Sequence, residues 1–97
     1  MSLDSWRQEI DAIDTEILGL LQKRISIVRE IGRVKARAGL PFIDEERERI
    51  IMNRVLGQRE EPLSVEAVNC VFNCVIQESR RVQIEESAVR QEREVWK

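Results

Sequence analysis

The chain has no histidine and no tyrosine, and its 97 residues include only two cysteines, two prolines, two tryptophans and two phenylalanines. Each scarcity excludes something. Without an imidazole base, Ser-His-Asp arrangements are gone, and so are most catalytic zinc sites. Two cysteines cannot build a disulfide-dense secreted scaffold. Cys70 and Cys74 stand four apart in a helical pattern, where a bridge has poor geometry, so buried free thiols are expected. No apolar run approaches the ~18 residues that span a bilayer. The start, Met1-Ser2-Leu3-Asp4-Ser5-Trp6-Arg7, lacks a signal-peptide apolar stretch. A cytoplasmic protein is expected, with no membrane partner. An excess of one charge is missing too: 16 Lys+Arg against 18 Asp+Glu leave a formal charge of −2. Nucleic-acid binding usually needs a strong basic excess, so no such partner is expected.

Charge itself is plentiful. Charged residues make up 35% of the chain, against roughly 25% in an average domain. With few aromatics, that balance favours amphipathic helices over sheets. The length fits one compact domain at most, with a modest core. Any chemistry must come from Arg, Lys, Asp, Glu, Ser, Asn and Gln.

Breakers divide the chain at Gly39-Leu40-Pro41-Phe42 and between Gly57 and Pro62. Three helices are expected, over about residues 3–37, 44–57 and 64–95, forming a single domain over 1–97. The first carries a stripe at alternating spacings of three and four: Leu3, Trp6, Ile10, Ile13, Ile17, Leu20, Arg24, Ile27, Ile31, Val34. Only Arg24 interrupts it. Ser5 with Gln8 is a candidate capping box. Gly19 and Gly32 lie inside the pattern, each costing about 1 kcal/mol relative to Ala; close packing would explain them. Asp44 is a good N-cap for the second helix, with Glu45 and Glu46 at the positive end of its dipole. Ser64 caps the third, whose stripe is Val65, Val68, Phe72, Val75, Ser79, Val82, Glu86, Val89.

A helix of ~35 residues is ~50 Å long, whereas a compact chain of this size has a radius of gyration of ~12.5 Å. The first helix should overshoot a monomeric globule, and a second copy is the simplest cover for its apolar stripe. The alternative is a break at Gly19 into a monomeric four-helix bundle.

Polar residues on these apolar faces are the informative ones. Arg24 and Lys35 point within roughly 20° of each other, about 16 Å apart along the axis. Asp44, Arg47, Glu48 and Ile51 share one face of the second helix. Ser79 and Gln83 form an i,i+4 pair on the third, with Ile76 beside them. Singly, each has an ordinary reading: a register-setting arginine, a helix cap, a solvated face. Together they are the outline of an enclosed site for a small, multiply charged anion.

The motifs Trp6-Arg7-Gln8-Glu9-Ile10-Asp11 with Ile13-Asp14, Leu21-Gln22-Lys23-Arg24, Ile31-Gly32-Arg33-Val34-Lys35, Asp44-Glu45-Glu46-Arg47-Glu48-Arg49 and Ile76-Gln77-Glu78-Ser79 with Gln83 occur in that order. In these the chain resembles the all-helical chorismate mutases over nearly its full length. The resemblance implies an all-α, three-helix chain intertwined as a six-helix homodimer. It implies conversion of chorismate to prephenate, on the route to phenylalanine and tyrosine, with no cofactor and no metal. Arg24, and Arg7 from the partner subunit, would hold the two substrate carboxylates. Arg47 and Ser79 would complete the clamp. Lys35 and Gln83 would donate to the ether oxygen of the breaking bond. Glu48 and the backbone at Asp44 would hold the ring hydroxyl, and Ile31, Ile51 and Ile76 would be apolar walls. Geometry agrees on one point: Arg7 lies ~42 Å from Lys35 on a straight helix, so the two cannot share a small ligand within one chain.

Three rivals remain at this level: an isochorismate-pyruvate lyase of related fold, a mutase domain of a larger fused enzyme, and a non-catalytic helical dimerisation module. Gln83 generates a test. An amide donates at every ordinary pH, but a carboxyl donates only when protonated. Activity is therefore expected to stay high at neutral pH, and a Gln83→Glu variant to work best in acid. A variant with the parent's pH–rate profile would remove Gln83 from the donor role.

Overall fold

The computed structural model describes the backbone of residues 2–95 and side chains as far as residue 88. Three helices appear: α1 over Leu3–Ala38, α2 over Glu45–Gln58 and α3 over Val65–Val95. Val89, the last stripe position of α3, and the tail residue Trp96 lie outside the described side chains.

The ends follow local chemistry. Ser2, not Ser5, caps α1, its hydroxyl accepting from the Ser5 N–H at 3.1 Å; Ser5 already lies within the first turn. Gly39 ends α1 in the left-handed region at φ 69°. The Leu40 N–H returns to the Lys35 carbonyl at 2.9 Å, a reversal that glycine permits without steric cost. Asp44 caps α2, accepting from the Arg47 N–H at 3.0 Å. Ser64 caps α3 through the Ala67 N–H at 3.1 Å. Gly57 lies in the last turn of α2 rather than in the loop.

The platform is α3. It packs against α1 and against α2, which do not pack against each other. Its inward face holds Val68, Ile76, Ser79, Val82 and Gln83, all buried; of the expected α3 stripe, Val68, Ser79 and Val82 are buried, Phe72, Val75 and Glu86 are half-buried, and Val65, in the first turn, is exposed. Cys70 and Cys74 are free but exposed, which corrects the expectation of burial: they lie on the side of α3 turned away from its neighbours.

α1 departs further from expectation. It runs unbroken through Gly19, so the folded-back bundle is excluded. It meets α3 along Arg24, Val28, Gly32 and Lys35, all buried or half-buried. This face lies about 100° around the helix from Ile27, Ile31 and Val34, which are exposed. Residues 6–23 are exposed throughout. The stripe read from the sequence is therefore real but bare within its own chain: Trp6, Ile10, Ile13, Ile17 and Leu20 are each at least 49% exposed. The molecule measures 62 × 27 × 15 Å, with a radius of gyration of 17.6 Å. Its accessible surface is 7834 Å², about 2,000 Å² more than expected for a compact monomer of its mass.

Two features fix α1 on α3. Glu86 interrupts the α3 stripe because two arginines of α1 clasp it: Arg29 Nε donates at 3.0 Å and Arg33 Nε at 3.2 Å. Between these arginines, Gly32 lets the backbones come close. A β-carbon there would stand 3.2 Å from Gln83 Cα and 3.3 Å from Gln83 Cγ, inside ordinary contact distance. No such neighbour surrounds Gly19 within the chain. Alanine is the better helix former by about 1 kcal/mol, yet Gly32→Ala should lower the melting temperature, because the added methyl presses on α3 backbone. A clear rise in melting temperature would contradict the close approach.

Candidate active site

α3 gathers the polar groups of the other two helices. From α1, Arg24 Nη1 donates to Ser79 Oγ, while Ser79 donates its own proton to the Val75 carbonyl at 2.9 Å. One helical turn further along α3, Lys35 Nζ donates to Gln83 Oε1 at 2.9 Å and to the Phe42 carbonyl at 3.1 Å. The reversal at Gly39 brings that carbonyl back over α1. Gln83 Nε2 donates to the Ser79 carbonyl at 3.3 Å. Ser79 and Gln83 are each 8% exposed, and their buried polar atoms are satisfied by this network.

The network sets the orientation of the Gln83 amide. Its oxygen faces an ammonium and its nitrogen a carbonyl; a flipped amide would meet like polarity on both sides. Hydrogens remain to donate. An ammonium has three, and two of those on Lys35 are engaged. An amide nitrogen has two, and one of those on Gln83 is engaged. Each group thus keeps one donor for an acceptor placed between them, on groups whose positions are already fixed.

Charge points the same way. Burial, then the positive charges of Arg47 and Arg54, lower the Arg24 pKa from its ordinary value. Arginine stays protonated regardless, so the repulsion persists until an anion relieves it. Among the described residues no carboxylate lies within ion-pair distance of Arg24, Lys35 or Arg47. Glu48 is different. Arg80 donates to both of its oxygens, with Nε at 2.7 Å from Oε2. That guanidinium holds the Glu48 carboxyl below its usual range, against the opposing effect of burial.

Ile51 and Ile76 are buried beside these groups, at 8% and 7% exposure. Ile31 is 43% exposed, a wall only if something else closes over it. Asp44 and Arg47 are exposed at the α2 entrance. Lys35, Leu40, Pro41, Ile43, Asp44 and Glu45 line an open cavity of ≈ 510 Å³ there. Arg7 is not part of this group: it lies on the bare end of α1, 3.9 Å from Asp4, its side chain 68% exposed. Sequence reading missed Arg80. Its spacing, four residues after Ile76, was the one local signal; the carboxylate it meets lies on another helix and cannot be read from that spacing.

The fold and site define a class: an all-helical chain that assembles fixed arginine, lysine, serine and amide donors for a small anion. The chain belongs to the chorismate mutase type II family, which matches residues 6–84. It is similar to the chorismate mutase (form II) of Thermus thermophilus, with 30% identity, TM-score 0.80, and coverage of 84% of this chain and 92% of that one. It is also similar to the Helicobacter pylori chorismate mutase solved in complex with prephenate, with 31% identity, TM-score 0.77, and coverage of 87% and 91%. A chorismate mutase of Methanocaldococcus jannaschii is 39% identical over 49 residues, half of each chain. A bifunctional chorismate mutase/prephenate dehydratase of Aquifex aeolicus is 44% identical over 59 residues, which is 61% of this chain and only 16% of that protein.

The ion pairs carry a pH prediction. Hydrogen bonds from Arg80 lower the Glu48 pKa, and those from Arg29 and Arg33 lower that of Glu86, from an ordinary value of 4.5. A carboxyl with a depressed folded-state pKa contributes stability that is complete above the unfolded value and lost as pH falls through the folded one. Glu86→Gln should therefore melt below the parent at pH 7, and the gap should close as pH falls through and below 4.5. A gap of constant size down to about pH 3 would contradict the clasp.

Proposed function

We propose that the chain is a chorismate mutase domain that works as an intertwined homodimer, with Arg7 of each subunit completing the other's site. The observation that carries the reading is the Lys35–Gln83 contact at 2.9 Å, with one donor hydrogen left on each group. Arg24 beside Ser79, with no carboxylate partner among the described residues, supplies the anchor for a substrate carboxylate.

The reaction is a unimolecular pericyclic rearrangement in which one C–O bond breaks while one C–C bond forms. It requires no nucleophile, proton transfer, metal or cofactor. A flexible dicarboxylate has to be held in a chair-like reactive conformer, and pairs of arginine–carboxylate contacts do this. Negative charge then grows on the ether oxygen. Donors fixed in advance on that atom stabilise the transition state more than the substrate. Lys35 is the cationic donor and Gln83 the neutral one. Glu48 and the backbone at Asp44 take the ring hydroxyl, and Ile31, Ile51 and Ile76 form the walls. By analogy with an oxyanion-hole donor, loss of the Lys35 ammonium should slow the reaction ~10²-fold or more.

The second copy is supported by the bare stripe of α1. The surface excess of about 2,000 Å² per chain falls in the range that obligate homodimers bury. Covering that stripe would also close over Ile31. Residues 1–97 are read as one mutase domain, alone or within a longer chain. Two free thiols suit a reducing compartment, and the domain is read as cytoplasmic; among the described residues no helix is long and apolar enough to cross a membrane.

Purified protein should convert chorismate to prephenate without releasing pyruvate, and sediment as a dimer. Pyruvate would redirect the reading to the lyase. Intact chorismate would leave a helical dimerisation module.

A further inference from the structure

Glu48 is an acid on the inward side of α2, where a lone carboxylate would be costly. Its partner is Arg80 of α3, the residue directly after Ser79. The guanidinium meets the carboxylate as a fork, one prong to each oxygen, with the two side chains 21% and 36% exposed. Two parallel bonds fix the plane of a carboxylate as well as its position. They also leave acceptor capacity on each oxygen, since a carboxylate offers about four lone-pair directions and the fork occupies two. Among the described residues this is the one ion pair that joins α2 to α3.

Charges reach Glu48 from all three helices: Arg80 on α3, Lys35 on α1 and Asp44 at the start of α2. Arg80 in turn faces Glu45. The two cations outweigh Asp44, so Glu48 is ionised near neutral pH and serves only as an acceptor. The pair stands one helical turn from the Lys35–Gln83 contact, partly accessible and with acceptor capacity to spare.

We propose that Arg80 is a positioning residue for the mutase reaction: its fork holds the Glu48 carboxylate as a fixed acceptor for the substrate's ring hydroxyl. The proposal rests on the role given to Glu48 above. It makes Arg80 a determinant of specificity as well. A site with a fixed anionic acceptor discriminates against a ring that lacks the hydroxyl, because the carboxylate is then left partly desolvated and unpaired.

The test is steady-state kinetics with chorismate from acid to mildly alkaline pH for the parent, Arg80→Met, Arg80→Lys, Glu48→Gln and the Arg80→Met/Glu48→Gln double variant, with thermal melts alongside. Arg80→Met should raise KM about tenfold while kcat changes far less, the signature of lost ground-state positioning. The acid limb of its kcat/KM profile should move to higher pH, since Glu48 loses the cation that keeps it ionised. Arg80→Lys should restore that limb but only part of the KM. In the Glu48→Gln background, Arg80→Met should add nothing further to KM. If Arg80→Met lowers the melting temperature yet keeps the parent's KM and pH limb, the pair is structural and the proposal fails. Should Arg80→Met not fold, Arg80→Lys with the parent's KM overturns the proposal in the same way. Glu48→Gln with an unchanged KM removes the hydroxyl contact, and the proposal with it, while turnover by the parent still stands. A parent that leaves chorismate intact fails the functional reading itself.

Discussion

A 36-residue helix is about 54 Å long whatever its surroundings, and this chain has too little else to cover it. The remaining helices reach only the C-terminal half of α1, where Val28 and Gly32 are buried. The other half carries tryptophan, isoleucine and leucine into solvent. Burial of such surface is the main favourable term in folding and association, so a partner of matching length and pattern would be stabilising. A second copy meets both requirements. In the proposed homodimer the site would inherit this constraint: Arg7, on the uncovered end of α1, would complete the other chain's carboxylate-binding group.

Within the chain, α3 converts packing into geometry. Gly32 lets α1 approach Gln83 more closely than a side chain would fit without a shift of α3, and the Glu86 clasp sets the register one turn away. Lys35 and Gln83 then meet because the backbones beneath them have no slack. Arg80 performs the matching task on α2, tying Glu48 to the turn that carries Ser79. A rearrangement that moves no proton depends on such fixed positions more than on any reactive side chain. That gives the missing histidine its meaning: the proposed chemistry has no use for one.

Much of this was legible in the residues, for identifiable reasons. Helix limits were readable to within about one residue because Asp44, Ser64 and Gly39 are strong local signals. Ser79 stood out as a polar residue on the apolar stripe and Gln83 as its i,i+4 partner, and both are buried. The α1 stripe was legible as a pattern but not as a location. Periodicity shows which residues share a face, not which chain covers them, and the intrachain contact uses the neighbouring face through Arg24, Val28, Gly32 and Lys35. Ser5 resembled a cap because its spacing to Gln8 fits, but Ser2 stood one turn earlier and closed the helix first. The cysteines were misplaced because residue type favours burial, whereas position on α3 decided exposure. Arg80 was hidden because it lies beside the stripe rather than on it, and only the partner on α2 reveals its direction.

Complementation between two single-site variants tests the shared site most directly. Arg7→Ala and Lys35→Ala chains are prepared separately and then refolded together, and chorismate turnover is measured before and after mixing. If each site takes Lys35 from one chain and Arg7 from the other, a mixed dimer regains one intact site of its two. Random pairing then restores about a quarter of the parent's activity from two nearly inactive samples. A mixture no more active than its separate components would contradict a site built across two chains.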